Sequence, residues 1–131
     1  MRSTRGFTII ELLVSVVLLG VIGGLSYERF ITVESIHRDQ ARKTAINAIH
    51  HNLEEVVKPA LGGYPRTLTP VQLKAMDKML FQDPQGEAIG RASSDYRYEP
   101  TGCNGGGVCS GYRLKADLER EADFVKTNSR A

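Results

Sequence analysis

The chain begins with a long apolar run that is interrupted by a single charge. Residues 7–25, FTIIELLVSVVLLGVIGGL, are nineteen in number, and Glu11 is the one charged side chain among them. As a helix that rises ~1.5 Å per residue, the run would span about 28 Å, close to the ~30 Å hydrocarbon core of a bilayer. The pattern therefore predicts a helix that can cross a membrane.

A helical pattern continues past this run. Pro59 disfavours helix at the residue before it, so we predict that the helix ends at Lys58. Residues 28–44 are mostly polar, which predicts that they lie outside a globular core. Further on, apolar side chains recur every three or four residues and predict one face for a head domain, with Glu54, Glu55 and Lys58 off that face. The apolar stripe comprises Ala41, Ala45, Ile46, Ile49, Leu53, Val56 and Val57.

The last part of the chain predicts a small mixed domain. Residues 69–72, Thr-Pro-Val-Gln, match a capping box with proline at the first helical position, and predict a short helix that ends near Phe81. Alternation of apolar and polar residues over 96–99 and 112–119 predicts two strands, and residues 124–127 predict a third. The predicted class is α+β, with a three-stranded antiparallel sheet on the C-terminal half of one long helix.

Charge indicates how the apolar run would be oriented in a membrane. The 17 basic residues exceed the 15 acidic ones by two, and Arg2 and Arg5, which precede the run, are two of the basic ones. By the positive-inside rule they predict a cytoplasmic N-terminus. Without residues 1–6 the chain is formally neutral, so its bulk charge does not favour a general nucleic-acid surface.

The apolar run could be a secretory signal peptide or a membrane helix that the protein retains. A secretory signal peptide is disfavoured, because the run exceeds the usual ~7–15 apolar residues and no A-x-A-like cleavage site follows it. Glu11 is the informative residue, since a carboxylate in hydrocarbon costs roughly 2.5 kcal/mol or more and persists only with a partner or a function. Either Glu11 reaches the nearby membrane interface, or it meets a specific cation in an assembled state.

The residues around this carboxylate carry a family resemblance. The string Arg5-Gly6-Phe7-Thr8-Ile9-Ile10-Glu11-Leu12-Leu13-Val14 resembles the class III signal of type IV pilins and pseudopilins. The resemblance implies that a prepilin peptidase cuts between Gly6 and Phe7, and that the new amine of Phe7 is methylated. It also implies that Glu11 compensates this amine, in its own subunit or a neighbouring one. Because desolvation opposes the attraction, such a pair would set axial register more than it would stabilise.

The resemblance also implies an organisation and a set of partners. It divides the chain into a leader (1–6), a transmembrane and assembly helix (7–25), an amphipathic helix (26–58) and a head (59–131). The implied partners are further copies in a helical filament, other pilins, the prepilin peptidase and the inner-membrane assembly platform, with DNA or a host-cell surface as candidate ligands. The chain would be a single-pass inner-membrane protein before assembly and part of an extracellular filament afterwards.

Within this family the exact role stays open among adhesion, twitching motility, DNA uptake and secretion. The alternative outside it is a membrane-anchored extracytoplasmic binding module that does not polymerise.

The apolar run contains three glycines, Gly20, Gly23 and Gly24, and each disfavours helix by roughly 0.8–1 kcal/mol relative to alanine. Small residues allow membrane helices to approach closely. The resemblance to type IV pilins implies another role, in which this region loses helical hydrogen bonds when the filament assembles.

The remaining chemistry predicts a structural protein and no enzyme. Cys103 and Cys109 flank a glycine-rich loop between the first two predicted strands, and we predict that they form one disulfide. No nucleophile-base pattern, cofactor motif or zinc-ligand set is apparent. The three histidines, His37, His50 and His51, are predicted to face solvent, and Asp83, Glu87 and Asp95 are the carboxylates that could hold calcium.

Overall fold

The computed structural model describes residues 6–129, so Arg2 and Arg5 of the leader lie outside the described residues. The chain divides into two compact units, Met1–Ser35 and Ile36–Ala131. Helix α1 (Ile9–Asn52) runs from the first unit into the second, and a π-helical turn (Leu53–Val57) and helix α2 (Lys58–Leu61) follow it.

The described part of the first unit is mostly an exposed apolar helix. Every residue from 6 to 31 is exposed, and the continuous helix that starts at Ile9 is long and apolar enough to cross a membrane. The hydroxyl of Ser15 donates to the Glu11 carbonyl at 2.7 Å and that of Ser26 to the Ile22 carbonyl at 2.8 Å. Since these hydroxyls are satisfied within the helix, they are compatible with a lipid environment.

The helix does not end before Pro59, so that prediction is wrong. Pro59 lies in the first turn of α2, and the helix ends at Gly62, which has a φ of +72°. The backbone N–H of Lys58 donates to the Leu53 carbonyl, five residues back. Proline lacks an N–H and crowds the carbonyl four residues earlier, and the wider π-turn directly before Pro59 relieves this crowding.

The second unit contains a four-stranded antiparallel sheet, one strand more than predicted. Its strands are β1 (Tyr64–Pro65), β2 (Tyr96–Cys103), β3 (Val108–Ala116) and β4 (Phe124–Thr127). Strand β3 is central: β2 pairs along one side, while β1 and β4 pair with opposite ends of the other side. The missed strand β1 has two residues, too few to show a period of two. The predicted α+β class is confirmed.

The predicted short helix forms only at its C-terminal end, and its predicted start is wrong. Residues 70–77 form turns, and the one helical piece there is a 3₁₀ turn, Lys78–Phe81, capped by the Asp77 side chain. The capping contact survives, because the Thr69 N–H donates to Oε1 of Gln72 at 3.1 Å. A cap alone does not offset the cost of nucleating a short helix. Such a helix also needs an apolar face that packs against the rest of the protein.

The core joins the second half of α1 to the sheet, with a partly different helix face from the one predicted. Ala41 is exposed and Val56 is half-buried, whereas the polar Asp39, Arg42 and Asn52 are buried. The prediction that residues 28–44 lie outside a core is therefore wrong at Asp39 and Arg42. The core comprises Ala45, Ile46, Ile49, Leu53, Val57, Tyr64, Leu68, Leu73, Phe81, Ile89, Tyr96, Cys109, Tyr112, Leu114 and Ala116.

Candidate processing and assembly site

The start of α1 determines how accessible the Gly6–Phe7 bond is. The Oγ1 atom of Thr8 accepts a hydrogen bond from the Glu11 N–H at 3.3 Å, and the Thr8 carbonyl accepts one from the Leu12 N–H at 3.1 Å. Thr8 is therefore the N-cap of the helix. The Gly6–Phe7 bond precedes this cap, in backbone that is not helical, so a protease could reach it without unwinding the helix.

The sequence reasoning missed Thr8 as a cap, although a signal was present. Residues 8–11 read Thr-Ile-Ile-Glu, which is the T-x-x-E pattern of a capping box ahead of an apolar run. Glu11 is thus the third helical residue and the acidic residue of the first turn. A carboxylate at this position is favoured by the partial positive charge of the helix N-terminus.

The glycines of the first unit have no internal reason to be glycine. A Cβ atom built at Gly6, Gly20, Gly23 or Gly24 would meet nothing within 4 Å. Phe7 is also 75% exposed. Any requirement for a small residue at these positions would therefore come from another molecule, such as an enzyme that acts on the Gly6–Phe7 bond or a helix that packs closely.

The structure brings Gly6, Phe7 and Glu11 together at the start of α1, and it places the predicted disulfide in the second unit. Cys103 and Cys109 are bonded and face each other across β2 and β3. The side chain of Asn104 orders the loop between them, since its Oδ1 accepts from the N–H groups of Gly106 and Val108 at 3.0 and 3.1 Å.

A buried arginine fastens the segment after β3 to α1. Arg42 is 2% exposed and donates to Asp39, Asp95 and Glu119 at 2.7–3.0 Å. Arg38 donates to both carboxylate oxygens of Glu119 at 2.7 Å. The Arg38 and Arg42 guanidinium groups lower the pKa of Glu119 to about 2. Burial of Asp39 acts to raise its pKa, but the backbone N–H groups of Glu119 and Arg120, with Arg42, lower it overall.

A second polar cluster centres on Glu54, which the sequence predicted to lie off the packed face. Its Oε1 atom accepts from the Tyr64 hydroxyl at 2.9 Å, the Tyr112 hydroxyl at 3.0 Å and the Ser129 N–H at 3.2 Å. His50 is half-buried and its Nδ1 lies 2.7 Å from the Tyr112 hydroxyl, so the prediction of a solvent-facing His50 is wrong. Burial lowers the pKa of His50.

The carboxylates that were candidates for calcium have structural partners. Asp83 accepts the backbone N–H groups of Gln85, Glu87 and Asp95 at 2.9–3.0 Å. Burial would raise the pKa of Asp83, but these backbone hydrogen bonds lower it overall. Asp95 itself accepts from Arg42 at 2.7 Å. Over residues 6–129 no three His, Cys, Asp or Glu side chains are grouped in a way that could hold a metal ion.

Comparison with known proteins gives one match, at the N-terminal segment. Residues 1–27 match the family model described as the prokaryotic N-terminal methylation motif. The chain therefore carries the class III prepilin signal shared by type IV pilins and pseudopilins, and the predicted resemblance is confirmed. Such a signal implies processing by a prepilin peptidase, and the apolar helix supports membrane anchoring. No curated protein and no solved structure matches the chain significantly.

Proposed function

We propose that this protein is a type IV pilin or pseudopilin, a structural subunit of a filament with no catalytic role. It is made as a precursor, cut between Gly6 and Phe7 on the cytoplasmic side of the inner membrane, and methylated on the Phe7 amine. The observation that carries the proposal is the methylation motif at residues 1–27.

The geometry at the start of α1 supports the processing step. Because Thr8 caps the helix from its own side chain, the helix start does not depend on the leader. Removal of residues 1–6 leaves a two-residue extension, Phe7 and Thr8, ahead of the first helical residue. The new amine then belongs to the residue four positions before Glu11.

The exposed apolar surface supports assembly. Four apolar side chains of the helix are between 59% and 70% exposed: Leu12, Leu13, Val16 and Leu19. Lipid covers such a surface before assembly, and copies of the same helix cover it in a filament. In that setting the Phe7 amine of one subunit meets the Glu11 carboxylate of a neighbour, which fixes the axial register of the copies. The other implied partners are other pilins and the assembly platform.

Processing is tested by mass spectrometry of the protein isolated from membranes of a peptidase-competent cell. The mature chain is expected to begin at methylated Phe7. Gly6→Ala is expected to leave mostly uncut precursor, because the added methyl group meets nothing within the chain and any defect must arise in the peptidase site.

The matched control is Gly20→Ala, an equally unhindered change inside the helix, which should be cut and methylated normally. A wild-type chain that keeps Met1, or a mature end elsewhere than Phe7, would contradict the proposal. In that case the membrane-anchored binding module that does not polymerise becomes the better account.

A further inference from the structure

A cleft in the second unit carries two arginines whose guanidinium groups make only long contacts within the chain. Its volume is about 460 Å³, and it is lined by residues 66–68, residues 88–91 and Tyr98 of β2. Arg66 and Arg91 line it, and no acidic side chain does. We call it the arginine cleft. Its size lies in the range of small-molecule sites, about 300–1,000 Å³.

The two arginines differ from the structural arginines of the same chain. Arg38 and Arg42 make charge-assisted hydrogen bonds at 2.7–3.0 Å. Arg66 has one long contact, from Nη2 to the Asn104 carbonyl at 3.5 Å. Arg91 is 70% exposed and has one ion pair, to Glu87 at 3.5 Å. Both guanidinium groups therefore keep donors that an incoming anion could use.

The backbone around the cleft is held in place. The Arg66 N–H donates to the carbonyl of Gly107 in the disulfide-closed loop at 3.1 Å, and the Arg91 N–H donates to the Ala88 carbonyl at 3.2 Å. Gly90, at a φ of +91°, makes the turn that presents Arg91. The cleft thus has a fixed frame with two adjustable cationic side chains.

One wall of the cleft is apolar. Leu68 and Ile89 belong to the core cluster and line the cleft. The ring of Tyr98 is half-buried, and its hydroxyl is engaged with the Pro65 carbonyl at 2.6 Å. Because that hydroxyl is occupied, Tyr98 offers mainly its ring as a contact surface.

We propose that the arginine cleft binds a monosaccharide-sized ring that carries one carboxylate or phosphate group. The acidic group accepts hydrogen bonds from Arg66 and Arg91, for which guanidinium forks are suited. The ring packs mainly on Tyr98, because Leu68 and Ile89 are only 8% and 6% exposed and add small apolar patches beside it. A nucleic-acid backbone is disfavoured, because two cations on a chain that is formally neutral after residue 6 make a weak electrostatic footprint. The proposal does not depend on filament formation.

The test uses the full chain in zwitterionic detergent micelles and saturation-transfer NMR. The probes are glucuronate and glucose 6-phosphate, which separate carboxylate from phosphate, with glucose as the neutral probe. Arg66→Gln and Arg91→Gln are each expected to weaken binding of at least one acidic probe about tenfold or more, since each removes a charge-assisted contact. Arg113→Gln removes the same charge from an exposed position of β3 outside the cleft and should bind as wild type.

Several results would overturn the proposal. One is no signal from either acid at millimolar concentration, and another is an equal loss in Arg66→Gln, Arg91→Gln and Arg113→Gln. Inorganic phosphate that binds as tightly as the sugar acids would show a general anion site. A short single-stranded oligonucleotide that binds more tightly than both acids would assign the cleft to nucleic acid. Unfolding midpoints equal to wild type in all three variants ensure that these losses report binding.

Discussion

At the scale of single residues, three glutamates of this chain differ in how much of their role the sequence reveals. Glu11 stands out in the sequence, because it is the single charge in an apolar run. Glu54 and Glu119 look like ordinary surface residues until the fold supplies their partners. Glu54 meets Tyr112, 58 positions away, and Glu119 meets Arg42, 77 positions away. Local context therefore reveals the carboxylate that we propose to act in assembly, and it hides those that stabilise the fold.

The role proposed for Glu11 predicts a separation between membrane level and assembly. Glu11→Gln keeps the size of the side chain and removes its charge, so insertion into the membrane should be unchanged or better, since burial of the charge costs roughly 2.5 kcal/mol or more. Filament yield should fall at least tenfold, because the Phe7 amine of a neighbour loses its counter-charge. The measurements are immunoblots of membrane and sheared-filament fractions, with electron microscopy of the latter.

Glu28→Gln is the control for this prediction, since it removes an exposed carboxylate of the same helix just beyond the apolar run. It should leave filament yield near wild type. Normal filaments from Glu11→Gln would rule out the register role of this residue. A protein that never polymerises would instead give no filaments from the wild-type chain.

At the scale of elements, the long helix shows how far local rules reach. Its start is encoded within four residues, from the Thr8 cap to Glu11, and the structure places the helix start there. From Pro59 alone, the helix was predicted to end at Lys58. It ends three residues after that, at Leu61, because a π-turn accommodates the proline. The conformation of a turn depends on how the helix packs, and the buried Leu53 and Val57 belong to the core.

The termination at Gly62 gives a prediction for stability. A side chain added there would have room, because nothing lies within 4 Å of a Cβ, but the φ of +72° strains any residue other than glycine. Gly62→Ala should therefore lower the free energy of unfolding by about 1–2 kcal/mol. Urea unfolding of the full chain in detergent, followed by circular dichroism, measures the change.

Gly105→Ala is the matched control, since position 105 has equal room and no positive φ. It should change stability by less than about 0.5 kcal/mol. Equal effects of the two substitutions would mean that the conformation of Gly62 does not decide where the helix ends.

At the scale of the whole molecule, hydrogen-bonded carboxylates determine how the second unit responds to acid. The pKa of Glu119 is lowered to about 2, and those of Asp39, Glu54 and Asp83 are also lowered. Such groups stabilise the fold above their ordinary pKa values, near 4, and this stabilisation is lost as the pH falls through the lowered values. Because several groups contribute, their losses add and the pH dependence should be steep.

The thermal midpoint should accordingly fall steeply between pH 4.5 and about pH 2, with a smaller loss beginning below pH 6.5 as His50 resists protonation in the fold. Glu119→Gln should lower the midpoint at pH 7 and flatten its dependence on acid. Glu99→Gln, an exposed carboxylate of β2, should retain the wild-type profile. Calorimetry of the full chain from pH 2 to pH 8 measures both, and a flat wild-type profile would exclude these ion pairs as the acid-sensitive element.

The sequence by itself determined the features that rest on neighbouring residues. These are the membrane-length helix, the prepilin signal around Gly6 and Phe7, the charge at Glu11, the pairing of Cys103 with Cys109, and the alternation that marks three strands. Each depends on a short segment of the chain, in which the residue types and their spacing are enough to predict the local structure.

Only the tertiary structure decided which polar side chains are buried. Asp39, Arg42 and His50 lie on a helix stretch whose sequence looks solvent-facing, and their partners come from strands and loops far along the chain. Strand β1 and the arginine cleft likewise depend on distant segments meeting. A buried charge is tolerated only when such partners are in place. A local sequence pattern does not show which distant segments will supply them.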